Sequence, residues 1–349
     1  MPSTKASAVM EEIAAKGWLG LSTRTDPVRT YPAKDVGANL IGFLGDEGKP
    51  AAGLEQVFNN QLAGRDGSDT FQVGGGNRIP LGDNSQVKPH NGDELELTID
   101  RDAQWYAQKM LRNVIHDTRA KSATLVAVDT RTGEVLALAD SPTFDANRGS
   151  KASDEEWGSR GLSNVYEPGS VQKVLTAAAL IEEGKVTPGT RITVPKKLPV
   201  LDREIGDYFD HGRIRLTLAG VIAKSSNIGT VLAARQISST VLDSYLRKFG
   251  LGSRTGVGIP GETRGLLPQG STWSELTKAT ISFGQGLSVN ALQMTAAVNA
   301  IANGGEYISP SLVKGRATTT SGTDVGTDTA QRRRVISKDT ARQVSEMME

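Results

Sequence analysis

The sequence predicts an α+β chain in which one apolar hairpin precedes a mostly helical region. Three observations lead there. Residues 123–128 and 135–139 are nearly continuous apolar runs joined by a short turn with Gly133, the pattern of a hairpin buried on both faces. Beyond it, apolar residues recur at helical spacing, and few strand-like runs follow residue 200. Residues 1–92 are glycine-rich and weakly periodic, so a domain boundary is expected close to residue 92.

In chain order, a short helix is expected around Ala8–Lys16. Short elements joined by turns follow at Tyr31-Pro32, 38–45 and 52–55. Another helix is expected over Leu54–Leu62, ending near Gly64. Residues 63–92 read as turns, with Gly74-Gly75-Gly76, Gly82-Asp83-Asn84 and Asn91-Gly92. Leu95, Leu97 and Ile99 alternate as a strand does. Asp100 can cap the helix that carries Ala103, Ala107, Leu111 and Val114.

After the hairpin comes a polar loop over 141–165, then a helix from Ser170 that Gly184 stops. Residues 186–213 read as irregular. Helices follow over Leu216–Lys224, Ile228–Ile237, Val241–Phe249, Thr277–Phe283 and Asn290–Asn303, with a glycine-rich loop over 252–270. Residues 315–329 read as a mobile loop, Arg332-Arg333-Arg334 as a solvated turn, and Ser337 as the cap of a last helix. Two strands alone make a poor sheet in water. Either the N-terminal segment adds strands to this hairpin, or strands of its sheet lie outside the chain.

Composition narrows the function classes. A net charge of +1 on 349 residues gives no reason to expect nucleic acid. The absence of cysteine removes disulfides, thiolate metal sites and cysteine nucleophiles. His90, His116 and His211 lack metal-ligand spacing, so neither metal nor cofactor is expected. Gly74-Gly75-Gly76 is no phosphate cradle, since no Gly-Lys-Ser/Thr follows it. No run approaches the about 18 apolar residues that span a bilayer.

The stretch richest in chemistry is Tyr166-Glu167-Pro168-Gly169-Ser170-Val171-Gln172-Lys173. A Pro-Gly breaker leads into a helix whose apolar face is Val171, Val174, Leu175, Ala178 and Ile181. Ser170 and Lys173 therefore lie one above the other, with the hydroxyl at the positive helix end. A serine becomes a nucleophile when a base takes its proton, and a lysine can do so once burial lowers its pKa. The tetrapeptide alone is a weak signal, since a capping serine and a solvated lysine satisfy it equally. Lys224-Ser225-Ser226-Asn227 sits between two helices and offers a hydroxyl and an amide. By itself it reads more readily as a capped helix junction.

Together with Ser282-Phe283-Gly284-Gln285-Gly286-Leu287, these segments resemble the class B penicillin-binding proteins, the D,D-transpeptidases that cross-link peptidoglycan. The likeness covers nearly the whole chain. Thr98-Ile99-Asp100-Arg101, Val128–Ala137, Phe249-Gly250-Leu251-Gly252 and Ile259-Pro260-Gly261-Glu262 resemble their transpeptidase domain. Arg29-Thr30-Tyr31-Pro32, Leu40-Ile41-Gly42-Phe43 and Gly53-Leu54-Glu55 resemble their pedestal. The pattern is most similar to the septal-division type.

The resemblance implies a penicillin-binding transpeptidase fold, an α/β sandwich like that of the serine β-lactamases. Residues 1–92 would be a partial pedestal and residues 93–349 the transpeptidase domain. It also implies residue roles. Ser170 would be the acylated nucleophile, Lys173 its base and Ser225 a proton relay. Asn227 would bind the donor stem peptide and orient Lys173. The Ser170 N–H would be an oxyanion donor, and Gly284, Gln285 and Gly286 would border the substrate groove.

The implied partners are peptidoglycan stem peptides, β-lactams and a division or elongation machinery with a glycan polymerase. A membrane anchor ahead of the chain would hold the parent protein on the outer face of the cytoplasmic membrane. One departure stands out, because no Lys-Thr-Gly or Lys-Ser-Gly occurs in the chain. Arg131-Thr132-Gly133 and Arg254-Thr255-Gly256 lie in the wrong places for this third motif. The family's order puts that strand, with the remaining sheet strands, beyond Glu349. Two other readings stay open: a non-catalytic scaffold or sensor of the same fold, and a carboxypeptidase or β-lactamase.

Overall fold

A computed structural model describes residues 3–18, 20, 21, 23, 28–45, 48–74, 77–79 and 83–349; Gly75, Gly76 and Gly82 lie outside them. The first helix, α1, runs Ser3–Ala15. The helix expected over Leu54–Leu62 forms as two short pieces, Gly53–Val57 and Asn59–Leu62. Leu40, Leu54, Val57 and Phe58 share one apolar cluster with Val135, Leu138, Leu162 and Leu312, so residues on both sides of position 92 build it.

Residues 63–92 are not only turns. They form an exposed ribbon in which β1 (Ser68–Thr70) pairs antiparallel with β2 (Ser85–Val87). Arg65 and His90 extend it, exchanging backbone hydrogen bonds of 2.8 and 2.9 Å. The strand expected over 95–99 shrinks to one bridge, Leu97 to Val313, with Thr98 N–H donating to Leu312 O at 2.9 Å.

Asp100 accepts the Ala103 N–H and so opens α2 (Arg101–Thr118). The hairpin forms as expected, but it is not buried on both faces as its apolar runs suggested. β3 (Ala123–Val128) pairs with β4 (Val135–Ser141), from Ala123 opposite Ser141 to Val128 opposite Val135. β4 is buried almost throughout, whereas β3 is half-buried at every position. The outer edge of β4 is satisfied by side chain and backbone. Gln104 Oε1 accepts the Leu138 N–H at 2.9 Å, Gln104 Nε2 donates to Leu138 O at 3.1 Å, and the Asp100 N–H donates to Leu136 O. Ala107 and Leu111 of α2 pack on Ala137 and Ala139.

The main core lies under α3 (Gln172–Glu182), whose Leu175 to Ile181 are buried. Residues 186–213, expected as irregular, contain paired strands. β5 (Arg191–Val194) pairs with β8 (Ile214–Thr217), and β6 (Leu198–Val200) with β7 (Arg203–Ile205). The helix expected from Leu216 therefore starts later: Thr217 ends β8 and caps α4 (Leu218–Ala223). Side-chain caps also open α5 (Asn227–Ala234), α6 (Ser239–Lys248), α7 (Glu275–Ser282) and α8 (Ala291–Ala302), from Ser226, Ser238, Ser274 and Asn290.

Two C-terminal expectations need correction. The segment 315–329 is paired, with β10 (Ala317–Thr318) against β11 (Asp324–Val325), because Ala317 and Val325 are buried. Residues 332–334 form β12 (Arg332–Arg334) against β9 (Glu306–Ile308). There the Arg333 guanidinium lies 3.8 Å from the Tyr307 ring centroid and donates to Lys248 O. The last helix, α9 (Lys338–Glu346), starts at Ser337 as expected.

Candidate active site

Three loops converge on Ser170. The first is its own. Tyr166 and Val289 exchange two backbone hydrogen bonds of 3.0 Å, which fixes the strand-like approach. Gly169, at φ 55°, turns the chain into a single 3₁₀ turn, Gly169–Val171, ahead of α3. This leaves Ser170 exposed while Lys173, one turn on, is only 2% exposed. Val171, expected on the buried face, is half exposed because it belongs to the 3₁₀ turn. Gly184, at φ 64°, ends α3, with its N–H on Ile181 O and the Lys185 N–H on Leu180 O.

The second loop is residues 225–227. Helix α4 closes through Ser225 N–H on Ile222 O and Ser226 N–H on Val221 O, with Ser225 itself at φ 50°. That left-handed position usually belongs to glycine. A serine there is strained, and its side chain has a use. Ser225 Oγ donates to Ser170 Oγ at 2.8 Å, and Lys173 Nζ donates to Ser225 Oγ at 3.0 Å and to Ser225 O at 2.6 Å. No direct bond joins Ser170 to Lys173 among the described residues, and the path between them runs through Ser225. Burial pushes the Lys173 amine down to about 8, against the opposing pull of the Asp207 carboxylate.

Asn227 is placed differently from the expectation. Its Nδ2 donates to Gly206 O at 3.2 Å; among the described residues the Lys173 head bonds to Ser225 O and Oγ and not to Asn227. The third loop, Gly284-Gln285-Gly286, lies against the turn that carries Ser170. Gly169 N–H donates to Gly284 O at 2.9 Å and Gly286 N–H to Glu167 Oε1 at 2.8 Å. Gly284 sits at φ 90°, and a Cβ there would overlap Gly169 O. Gly284→Ala is therefore expected to push the two loops apart, lower stability by about 1–3 kcal/mol and slow reaction at Ser170; thermal melting and acylation kinetics read both effects.

Three residues beside this site were given no role from the sequence. Glu167 holds the 284–286 loop. Asp207 and His211 lie behind residues 225–227, their side chains 0% and 6% exposed. Each finds its partner only through tertiary folding. An open groove of about 540 Å³ runs beside the 3₁₀ turn, lined by Val126, Val128, Tyr166, Val171, Met294 and Val298. Among the described residues, no group of His, Asp and Glu could hold a metal ion, and no helix is long and apolar enough to cross a membrane.

Residues 123–349 match the penicillin binding protein transpeptidase domain family. The penicillin-binding protein PbpB of Mycobacterium tuberculosis is 36% identical over 347 residues, 98% of this chain and 50% of that protein. The peptidoglycan D,D-transpeptidase FtsI of Escherichia coli is 35% identical over 297 residues, 84% of this chain and 50% of that protein. The chain spans about half the length of these curated relatives. The crystal structure of M. tuberculosis penicillin-binding protein 3 complexed with aztreonam superposes with a TM-score of 0.81 at 35% identity, covering 92% of this chain and 68% of that one. The fold is thus the mixed α/β penicillin-binding fold, and the relatives are of the septal class B type. On its sequence match and its superposition, the chain belongs to the penicillin-binding protein transpeptidase family.

Proposed function

We propose that this chain carries the acyl-transfer centre of a peptidoglycan D,D-transpeptidase. One observation carries the reading: the continuous path from the exposed Ser170 hydroxyl through Ser225 Oγ to the buried, low-pKa amine of Lys173. With Lys173 neutral, Ser170 passes its proton to Ser225, and Ser225 passes its own to Lys173. Ser170 Oγ bonds to the carbonyl carbon of a stem peptide's terminal D-alanyl-D-alanine. The C–N bond then breaks, and the leaving D-alanine takes a proton back through Ser225. A second stem-peptide amine attacks the ester carbonyl; as the ester C–O bond breaks, the amine's proton returns through Lys173 and Ser225 to Ser170 Oγ, which frees Ser170. The Ser170 N–H faces the developing oxyanion. Gly284, Gln285 and Gly286 border the peptide, and Asn227 offers its amide oxygen.

The same ester forms when a β-lactam opens on Ser170. Aztreonam and ampicillin are bound in structures of the M. tuberculosis relative. We also propose that the whole protein works at the outer face of the cytoplasmic membrane, with a division or elongation machinery and a glycan polymerase as partners; its likeness to PbpB and FtsI supports this. The test is labelling with fluorescent penicillin followed by peptide mapping. A single stable adduct on Ser170, lost in Ser170→Ala, is the expected result. Label elsewhere, or none, overturns the reading in favour of a non-catalytic scaffold, and an adduct that water clears rapidly points to a hydrolase.

A further inference from the structure

Behind the 225–227 turn lies a buried polar cluster that the acyl-transfer path does not touch. Asp207 Oδ2 accepts from Ser226 Oγ at 2.6 Å and from His211 Nε2 at 3.1 Å, while Asp207 Oδ1 accepts the Ile228 N–H at 3.0 Å. The carboxylate is fully buried. Ser226 Oγ in turn accepts the Gly229 N–H at 2.9 Å, so it is held from two sides. One residue earlier, Gly206 O takes the Asn227 amide. The segment 206–207 thus fixes Ser226, Asn227 and Ile228 together, immediately after the strained Ser225. His211 backs the carboxylate, its Nδ1 lying 2.6 Å from Gly212 O and its ring 4.8 Å from that of Phe209.

We propose that Asp207, seated on His211, is a positioning residue for acyl transfer: it pins the turn that presents Ser225 and sets the charge environment of Lys173. The inference rests on the reading of Ser170 as the acylated serine. Two roles follow from one carboxylate. Geometrically, releasing Ser226 and Ile228 lets Ser225 leave its left-handed conformation, and its oxygens move away from Ser170 and Lys173. Electrostatically, among the described residues Asp207 is the charged group that opposes the burial of Lys173 and favours the protonated amine. The charged groups facing His211 are Asp207 and Asp210, the latter paired with Lys196 at 3.1 Å.

The experiment is the rate of Ser170 acylation by fluorescent penicillin against pH, over about pH 6–10, in the unchanged protein, Asp207→Asn, Asp207→Glu and His211→Gln. Asp207→Asn is expected to lower the high-pH rate about tenfold to a hundredfold, the size of effect a displaced reacting group produces. It also moves the rising limb to lower pH, because the amine loses the charge that favours its protonation. Asp207→Glu returns the limb towards its original position. His211→Gln keeps the carboxylate and loosens its seat, so the rate falls while the limb stays. A purely structural Asp207 would lower the rate without moving the limb, and that result overturns the proposal. If Asp207→Asn does not fold, an unchanged rate in His211→Gln overturns it as well. Absence of label in the unchanged protein instead refutes the reading of Ser170.

Discussion

Lys173→Met lowers the rate at which penicillin acylates Ser170 by about 10²–10⁴-fold, the usual contribution of a positioned proton acceptor. Methionine fills the same buried, unbranched space, so the loss is chemical and not a packing collapse. The direction follows from the surroundings. Lys173 is desolvated, which favours its neutral form, and its head is held by Ser225 O and Oγ. Removing the amine leaves Ser170 and Ser225 as two hydroxyls with no base behind them. The fold should hold, with stability lowered by about 1–3 kcal/mol at most, because Ser225 O loses its donor while the desolvated amine is also gone. Acylation kinetics and melting curves on the same preparation check both statements. A variant that reacts as fast as the unchanged protein removes Lys173 from the mechanism.

Ser225→Gly separates function from stability at one position. Ser225 occupies φ 50° at the end of α4, where a side chain is strained and glycine is not. The substitution relieves that strain, and after the entropic cost of glycine in the unfolded chain a gain of about 0.5–1 kcal/mol remains. Acylation falls by about 10²–10⁴-fold, because the hydroxyl between Ser170 and Lys173 is gone. Ser225→Ala provides the contrast: it loses the same hydroxyl but keeps the strain, so activity falls without a gain in stability. Denaturant titration with acylation rates measures the pair. A destabilised Ser225→Gly would show that the left-handed conformation carries no strain.

What the sequence reveals and what it hides divide along physical lines. The local signals around Ser170, Lys173 and residues 225–227 (a Pro-Gly breaker, a helical spacing of three, a capping serine) fix the turns and helix starts, but each alone reads as ordinary capping. Only their order along the chain, as a family resemblance, marked them as a candidate site. The Gly284–Gly286 loop stood out by the same resemblance, and the structure supplies its physical reason, since glycines at φ 90° and 77° permit close approach. The capped helices were legible from such local signals. Pairing between segments distant in sequence was not legible. The ribbon of Ser68–Thr70 with Ser85–Val87 is exposed on both faces and shows no alternation. Strands of three or four residues between 191 and 217 are too short to establish a period. Asp207 and His211 sit among them, and the bonds from Asp207 to Ser226 and Ile228 exist only after folding brings the segments together. Arg332–Arg334 looked like a solvated turn because three arginines in a row are polar; pairing with Glu306–Ile308 and stacking on Tyr307 make it a strand.

The most direct test is the pH dependence of Ser170 acylation in the unchanged protein. If a neutral Lys173 draws the proton through Ser225, the rate rises with pH along a single titration centred near about 8, where burial has brought the amine. Lys173→Met should abolish that titration. A rate that stays level across this range, or a rise that persists without the lysine, would contradict the account.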